Sequence, residues 1–340
     1  MKKTTPINLG ITLAGALALI VVPAHATVNI DYVTVGDLGN ANDSTGFGAV
    51  AYSYQIGKYE VTNAQYAEFL NAADPGGSNP NAIYNTAMGS EALGGISFNS
   101  GATAGSKYGV KTNMGDKPVN WVSILDAERF ANWMQNGQGS GSTETGAYTV
   151  GSLSIHVGTA SVWIPTENEW YKAAYYQPFV AGGDSDNYWL YPTRSNSAPT
   201  LATATATGVI SNPGANVANY NLGADWNGQD GNLTTVGSAG PLSASYYGTF
   251  DQGGNVWEWN DAVIGSDRGL RGGGYEDGGL NLRATFSAPN IPDGEGANKG
   301  FRLASVVPEP SSLALLGVAA VGLASRRNRR ACVREASALG

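Results

Sequence analysis

Cysteine is almost absent from this chain of 340 residues. The single cysteine, Cys332, lies within the last ten residues, so everything before it has no thiol. This excludes disulfide bonds, iron–sulfur clusters, thiolate nucleophiles and cysteine-bound zinc or copper from that region. Histidine is nearly as scarce, because only His25 and His156 are present. A facial triad for non-haem iron needs two histidines, so we expect no copper, iron or zinc.

Basic side chains are also few, with 19 Lys and Arg against 27 Asp and Glu. Two of the basic residues precede Thr27 and five follow Pro310, whereas only Glu335 among the acidic residues lies in these terminal segments. The region between them carries 12 basic and 26 acidic side chains, a net charge of −14. Nucleic acid attracts the opposite charge, so we expect no nucleic-acid partner. An acidic surface favours solubility and cation binding.

The N-terminal segment has the composition of a cleavable signal peptide. Lys2 and Lys3 precede an apolar run over 7–22, and the small-x-small sequence at 24–26 follows. This order is typical of export signals, so we predict a signal peptide over 1–26. The alternative is an uncleaved membrane anchor, but the apolar run is shorter than the ~20 residues that a bilayer-spanning helix needs.

A second signal is present at the C-terminus. A Val-Pro-Glu-Pro-Ser sequence at 307–311 is followed by an apolar stretch at 313–324 and a cluster of arginines. This arrangement resembles a PEP-CTERM sorting signal, which we place at 306–330 with a short transmembrane segment. The resemblance implies export, membrane retention and cleavage by an exosortase-type protease, and the arginines stay cytoplasmic so that the domain faces outward. We predict a cytoplasmic extension at 331–340, beyond the point where such signals usually end.

The region between the two signals is predicted to form one domain over 50–305, preceded by a lead-in over 27–49. Glycine, asparagine, serine and threonine crowd its connecting stretches, which predicts long ordered loops and little regular secondary structure. Three helices are predicted from capping boxes, in which an N-cap Ser or Thr and a residue three positions later cap each other. The N-caps are Thr62, Ser123 and Thr166.

A strand is predicted where Trp257, Glu258 and Trp259 alternate. The alternation places the two indoles on a buried face and the carboxylate on the other face. A buried carboxylate there would need a cation. At the start of the third helix, we expect Glu167 and Glu169 to interact favourably with the helix dipole.

Six motifs occur in an order that carries a family resemblance. They are YQIGKYEVTNAQYAEFL, PVNWVSILDAERFANWM, IPTENEWYKAA, GTFDQGGNVWEW, LRGGGYEDGGLNLR and GFRLAS. Together they resemble the sulfatase-modifying-factor, or formylglycine-generating-enzyme, domain family over roughly 50–305. The resemblance implies an α+β fold, the formylglycine-generating-enzyme variety of the C-type-lectin-like fold, with low regular secondary structure and long ordered loops.

The positions that carry the family's chemistry are replaced in this chain. Catalytic members bind copper through two cysteines and oxidise a substrate cysteine to formylglycine. The resemblance places those cysteines at Asp277 and Leu282, and the family's serine at Gly274. A carboxylate and a leucine cannot form a thiolate site for cuprous ion, so we expect no formylglycine generation. We interpret His156 as an exposed or hydrogen-bonded loop histidine, since no G-x-S-x-G nucleophile turn accompanies it.

Calcium is the metal that the sequence still supports, because hard cations bind clustered oxygen donors. The family resemblance implies two structural calcium sites. The first would use the side chains of Asp251 and Glu258 and the carbonyls of Gly254 and Val256. The second would use the side chains of Asn219 and Asp230 and the carbonyls of Tyr220 and Asn232. The alternative is that these residues only form turns.

Three classes of function stay open: a non-catalytic recognition module, a structural matrix protein, and an enzyme of unassigned chemistry. We favour recognition of a glycan or protein ligand of the extracellular matrix, because loops rich in aromatic residues suit sugars or peptides. The aromatic candidates for exposed loops are Tyr188, Trp189, Tyr191 and Trp226. The alternative is that these rings pin loops to the core.

An enzyme would instead need a deep pocket, which we would expect near Gly274, Asp277, Arg283 and Arg302. Our candidates for ligand contact are Asp277, Arg283, Arg302, Trp189 and Trp226. Outside such a pocket, Asp277 and Arg271 are expected to form a surface ion pair, which contributes little to stability.

Overall fold

The computed structural model of the protein describes residues 27–153 and 155–308. The predicted signal peptide, the apolar part of the sorting signal and the C-terminal extension lie outside these residues. Across the described ranges, every helix is too short or too polar to cross a bilayer.

The three predicted helices are confirmed. The described α-helices are α1 (Asn63–Ala73), α2 (Ala87–Ser90), α3 (Ile124–Gln135) and α4 (Glu167–Tyr175), with single 3₁₀ turns at Phe179–Ala181 and Pro241–Ser243. Each of the long helices begins at a complete capping box, and the N-caps are Thr62, Ser123 and Thr166. Glu169 is the capping partner in the third box and is fully buried, so it does more than face the helix dipole. The short α2 has no side-chain cap and was not predicted.

Twelve short strands lie in the described residues. They are β1 (Tyr32–Val35), β2 (Tyr54–Gly57), β3 (Ile96–Phe98), β4 (Tyr108–Val110), β5 (Val162–Trp163), β6 (Thr200–Leu201), β7 (Val217–Ala218), β8 (Trp257–Ile264), β9 (Asp267–Arg271), β10 (Ala288–Asn290), β11 (Lys299–Phe301) and β12 (Ala304–Ser305). One four-stranded sheet has the order β1-β2-β12-β5 and another has the order β10-β9-β8-β11, while β3 pairs with β4 and β6 with β7. The predicted combination of few helices, small sheets and long ordered loops is confirmed.

Helices α1 and α3 pack together through aromatic side chains. The rings of Tyr66 and Phe130 stack at 5.9 Å, and Phe69 lies edge-on to Phe130 at 5.3 Å. Phe301 of β11 closes the cluster, 5.4 Å from Phe130. All four rings are fully buried, and burial of one phenylalanine contributes roughly 1.5–3 kcal/mol. The cluster therefore fixes β11, and with it the following Arg302, against the helices.

Strand β8 is buried on both faces where it begins. Trp257 and Trp259 are buried on one face, as predicted, and Glu258 on the other face is buried as well. Strand β11 pairs with β8 in parallel, which places Gly300 beside Glu258. A Cβ on Gly300 would lie 2.6 Å from the carbonyl oxygen of Val119, so this close approach requires glycine. Trp257 and Glu258 of β8 contact two of the candidate site residues, Asp277 and Arg302.

Candidate functional site

The glycine-rich loop after β9 holds the position where the family resemblance places chemistry. Gly272 and Gly273 have φ angles of +96° and +71°, which favour glycine. A Cβ on Gly272 would also lie 2.8 Å from the carbonyl oxygen of Gln252. The turn brings the backbone N–H of Gly274 to Asp277 Oδ2, to which it donates at 2.9 Å.

Asp277 organises this loop through its carboxylate. Its Oδ2 also accepts from Trp257 Nε1 at 2.7 Å, and its Oδ1 accepts from Asn281 Nδ2 at 3.0 Å. Leu282 is fully buried in a small cluster that includes Tyr191. Both positions at which the family resemblance places cysteines therefore serve hydrogen bonding and packing in this chain.

The predicted ion pair between Asp277 and Arg271 is wrong. Arg271 Nη2 lies 2.7 Å from Glu167 Oε1 instead, and its guanidinium lies 4.7 Å from the ring centre of Phe47 and 4.9 Å from that of Tyr171. This pair is buried, so it is also not a surface pair. Glu167 thus ties the start of α4 to β9.

Arg302 neutralises the buried Glu258. Its Nε lies 2.5 Å from Glu258 Oε2 and its Nη2 lies 2.6 Å from Oε1, with both side chains at 0% exposure. Trp170 Nε1 donates to Oε2 at 2.7 Å, and Arg302 Nη1 donates to the carbonyl of Gly57 at 2.8 Å. The expectation that Arg302 contacts an external ligand is wrong, because its guanidinium is a cation that the buried Glu258 requires.

An enzyme was expected to place Asp277 and Arg302 beside one pocket, but the two side chains contact different faces of β8. Asp277 binds Trp257 and Arg302 binds Glu258, and successive residues of a strand point to opposite faces. The two side chains are therefore separated by strand β8. Arg283 belongs to neither arginine–carboxylate cluster. It is half-buried, and its Nε donates to the hydroxyl of the buried Tyr191 at 2.9 Å.

The aromatic residues predicted to be exposed are mostly buried. Tyr188, Tyr191 and Trp226 are 4%, 1% and 6% exposed, so the expectation is wrong for these three. Trp226 Nε1 donates to the carbonyl of Leu233 at 2.9 Å, which pins its loop to the interior. Trp189 keeps partial exposure. The alternative reading, that rings in these loops anchor them to the core, describes this part of the fold.

The first predicted calcium set lies in a group of acidic side chains that outnumber the basic side chain facing them. Asp251 Oδ2 accepts from the backbone N–H of Gly237 at 2.5 Å, and burial raises the pKa of Asp251 to about 6. Glu60 is buried with no hydrogen-bond partner for its Oε2, and burial followed by the charge of Asp251 raises its pKa well above the usual range. Glu258 completes this carboxylate group, and Arg302 is the arginine that faces it.

Carboxylate oxygens are the donors that a hard divalent cation prefers, and in this group both oxygens of Glu258 already accept from Arg302. When all three carboxylates are ionised, one guanidinium leaves an excess of negative charge, which a cation would neutralise. Glu60 also lines a cavity of about 90 Å³, but the lining does not include Asp251 or Glu258. In 27–153 and 155–308, no three acidic or histidine side chains converge closely enough to hold a metal by themselves. The carbonyls of Gly254 and Val256 would therefore have to complete the coordination.

The second predicted set is only partly gathered. Asn219 and Asn232 are buried, and Asn219 Nδ2 donates to the carbonyl of Asn232 at 2.8 Å. The buried Oδ1 of Asn219 lacks a hydrogen-bond partner. The carbonyl of Tyr220 accepts from a backbone N–H at 3.1 Å, and Asp230 is exposed. Calcium at this set stays a prediction.

His156 is a hydrogen-bonded loop histidine, which is one of the two expected alternatives. Its Nδ1 lies 2.7 Å from Asp261 Oδ2, and its ring stacks on Trp163 at 5.0 Å. Asp261 in turn lies 3.3 Å from Arg268, whose guanidinium also lies 2.8 Å from Glu128. Burial raises the pKa of Glu128 to about 7.

A cleft beside His156 was not predicted from the sequence. We call it the tail-side cleft, because the last described residues of the chain lie in its wall. It has a volume of about 570 Å³ and is lined by Tyr52, Ser53, His156, Gly158, Ala160, Trp163, Val306 and Val307. Runs without any charged residue at 44–57 and 145–166 are a signal in the sequence that could have indicated this surface.

Two matches to known families cover most of the chain. Residues 43–307 match the family described as the sulfatase-modifying factor enzyme 1-like domain, and residues 306–330 match the PEP-CTERM protein-sorting motif. The second match implies export, a C-terminal sorting signal and processing of the exosortase type.

Individual relatives are distant. Hercynine oxygenase from Mycolicibacterium smegmatis is 27% identical over 217 residues, which cover 62% of this chain and 38% of that protein. The chain therefore matches well under half of the length of this relative.

Similar solved structures cover nearly the whole domain at low identity. Treponema denticola variable protein 1 is 18% identical with a TM-score of 0.45, covering 84% of this chain and 98% of that one. CarF is 20% identical with a TM-score of 0.49, covering 82% and 99%. PvdO from Pseudomonas aeruginosa is 16% identical with a TM-score of 0.40, covering 82% and 92%.

The family match over 43–307 takes in more than half of the chain and contains all of the motifs that suggested the resemblance. The expected α+β architecture is present, with few helices and several small sheets. The chain is therefore a member of the sulfatase-modifying factor enzyme 1-like domain family, with the C-type-lectin-like fold in its formylglycine-generating-enzyme variety and a PEP-CTERM sorting motif after the domain.

Proposed function

We propose that the exported domain is a non-catalytic recognition module that binds an extracellular glycan and is stabilised by calcium. The observation that carries the proposal is the state of the two positions where the family resemblance places catalytic cysteines. Asp277 is held by three hydrogen-bond donors and Leu282 is fully buried. Neither side chain presents a reactive group, and no thiol occurs between 27 and 308.

The surface around this loop has the composition of a shallow binding site. Leu280 is 60% exposed and Phe286 is 37% exposed, and Arg283 is half-buried between them in sequence. An apolar ring and an aliphatic side chain suit the C–H faces of a sugar, while a guanidinium suits hydroxyl or carboxylate oxygens. We call Leu280, Arg283 and Phe286 the recognition surface.

The recognition surface rests on rigid supports. The ring of Phe286 lies 5.9 Å from that of Trp257, whose Nε1 is bonded to Asp277. The carbonyl of Phe286 accepts from Arg271 Nη1 at 3.0 Å, and Arg271 is itself held by a buried ion pair. Supports of this kind reduce the ordering cost of binding, which favours recognition by a preformed surface.

Calcium would act structurally in this proposal. Asp251 and Glu258, with the carbonyls of Gly254 and Val256, would hold it. The ion would supply positive charge for the buried carboxylates at the start of β8. Because Trp257 of that strand supports Phe286, loss of the ion would weaken ligand binding indirectly.

Binding of the chain from Thr27 to Val307 to a glycan array and to the exopolysaccharide of the producing organism tests the proposal, in calcium and again in chelator. We expect saturable binding in calcium. Phe286→Ala should weaken it by roughly 1–2 kcal/mol, a 5- to 30-fold effect, because it removes an aromatic contact. Leu280→Asp should also weaken it, whereas Leu242→Asp, at a residue of 62% exposure that does not belong to the recognition surface, should not.

The other functions give different results in the same experiment. A structural matrix protein would self-associate without saturable glycan binding. A protein ligand would leave the glycan array empty, and so would an enzyme of unassigned chemistry. Any of these outcomes would contradict glycan recognition.

A further inference from the structure

The tail-side cleft opens onto a face that carries no charge. Residues 44–57, 145–166 and 303–308, which supply all of its lining, contain no Asp, Glu, Lys or Arg. The carboxylate that bonds His156 belongs to Asp261, which is 1% exposed and therefore does not reach this surface. An uncharged face is unusual on a region whose net charge is −14.

The same face exposes apolar side chains. Tyr52 and Val306 of the lining are 50% and 48% exposed. On either side of His156 in the chain, Ile155 and Val157 are 57% and 45% exposed. Several exposed apolar side chains on one face mark an interaction site more often than single ones do.

The position of the C-terminal tail determines which side of the domain lies near the membrane. Only four residues lie between Pro308, the last described residue, and Leu313, where the apolar stretch of the sorting signal begins. Fully extended, the five Cα–Cα steps from Pro308 to Leu313 reach about 18 Å. A domain of this size has a radius of gyration of about 19 Å and is roughly 50 Å across. While the apolar stretch is inserted, the tether is too short for any other side of the domain to face the membrane.

We propose that this uncharged face docks on the outer surface of the lipid bilayer that holds the sorting signal. Ile155, Val157 and Tyr52 lie among the headgroups, as the apolar side of an interfacial segment does. The acidic remainder of the domain is repelled by anionic lipids, which favours this one orientation.

The uncharged face and the recognition surface are attached to different points of β8. His156 is bonded to Asp261 and the recognition surface is supported by Trp257, four residues earlier on β8. Four residues of a strand span about 13 Å, so the two surfaces lie at different ends of this stretch. Docking itself does not depend on glycan recognition.

The test uses the full chain reconstituted in vesicles of phosphatidylethanolamine and phosphatidylglycerol. With Cys332→Ser as the background, a single cysteine is introduced by Ile155→Cys, Val157→Cys or, as the control, Leu280→Cys, whose native side chain is 60% exposed. Each cysteine carries an environment-sensitive fluorophore, and part of the lipid carries a nitroxide at the headgroup. We expect blue-shifted emission and loss of most of the fluorescence at 155 and 157, and neither change at 280.

Equal quenching at all three positions, or none at 155 and 157, would overturn the proposal. The two labelled positions give independent readings if one variant fails to fold. As a second measurement, Ile155→Asp should abolish quenching of the label at 157, whereas Leu280→Asp should leave it unchanged. Quenching that survives Ile155→Asp would mean that the tether alone holds the domain near the lipid, which also overturns docking. Because no glycan is present, the result is separate from that of the glycan array.

Discussion

Replacement of Arg302 by methionine should strongly destabilise the domain. The guanidinium is fully buried, neutralises Glu258 through both carboxylate oxygens, and donates to the carbonyls of Gly57 and Phe250. Removing one partner of a buried ion pair costs about 3–5 kcal/mol, because the other charge stays buried without compensation. Each carbonyl left without a donor adds about 1 kcal/mol or more.

The expected loss is therefore about 5–7 kcal/mol, a large part of the 5–15 kcal/mol by which typical domains are stable. At roughly 2 °C per kcal/mol for a domain of this size, the midpoint of thermal unfolding should fall by about 10–14 °C. The assay is calorimetry of the chain from Thr27 to Val307. Arg283→Met is the matched control, since its guanidinium is half-buried and bonded to one hydroxyl.

A double-mutant cycle measures the interaction between Arg302 and Glu258 separately from their other contacts. Combining Arg302→Met with Glu258→Gln removes both charges, so the double variant should be more stable than the sum of the single losses predicts, by about 2 kcal/mol or more. If Arg302→Met unfolded within about 1 kcal/mol of Arg283→Met, the inference that this guanidinium holds the buried carboxylates would be refuted.

Three further predictions concern calcium, pH and backbone conformation. Calcium should raise the unfolding temperature more at pH 8 than at pH 5. The reason is that burial raises the pKa of Asp251 to about 6, and a carboxylate must be ionised to bind calcium. Equal calcium-induced shifts at the two pH values in calorimetry would contradict the proposed site. The pKa of Glu128 is raised from 4.5 to about 7, so its contribution to stability is present below about pH 4.5 and is lost as the pH rises through 7. Denaturant titrations between pH 5 and 8 should show this decline in the native chain and a smaller one in Glu128→Gln; an unchanged slope would count against it. Gly272→Ala should destabilise the domain by about 1–3 kcal/mol, since φ is +96° and the new Cβ would meet the Gln252 carbonyl, whereas Gly278→Ala, with open space around it, should stay within about 0.5 kcal/mol in the same titration.

The features that could be predicted from the sequence are local ones. The three long helices were predicted because each capping box joins residues only three positions apart. The alternation along β8 likewise placed Trp257 and Trp259 on a buried face. The four-residue α2 was missed because it has no cap and is too short to show a periodic pattern.

The partners of charged residues could not be predicted, because they lie far apart in the chain. Arg302 and Glu258 are 44 residues apart and meet through the parallel pairing of β11 with β8. Arg271 meets Glu167 across 104 residues, which is why its assignment to the nearer Asp277 was wrong. Composition gives no information on such pairings.

Burial of loop side chains was equally hard to predict. Tyr188, Tyr191 and Trp226 lie in segments rich in polar residues, yet their rings are buried. In contrast, the uncharged runs at 44–57 and 145–166 are visible in the sequence, but only the fold places them beside the same cleft.

The most direct test of glycan recognition is equilibrium binding of the chain from Thr27 to Val307 to the exopolysaccharide of its own organism, measured in calcium for the native sequence, Phe286→Ala and Leu242→Asp. We expect saturable binding that Phe286→Ala weakens roughly 5- to 30-fold and Leu242→Asp leaves unchanged. An absence of saturable binding, or equal binding by all three proteins, would contradict it.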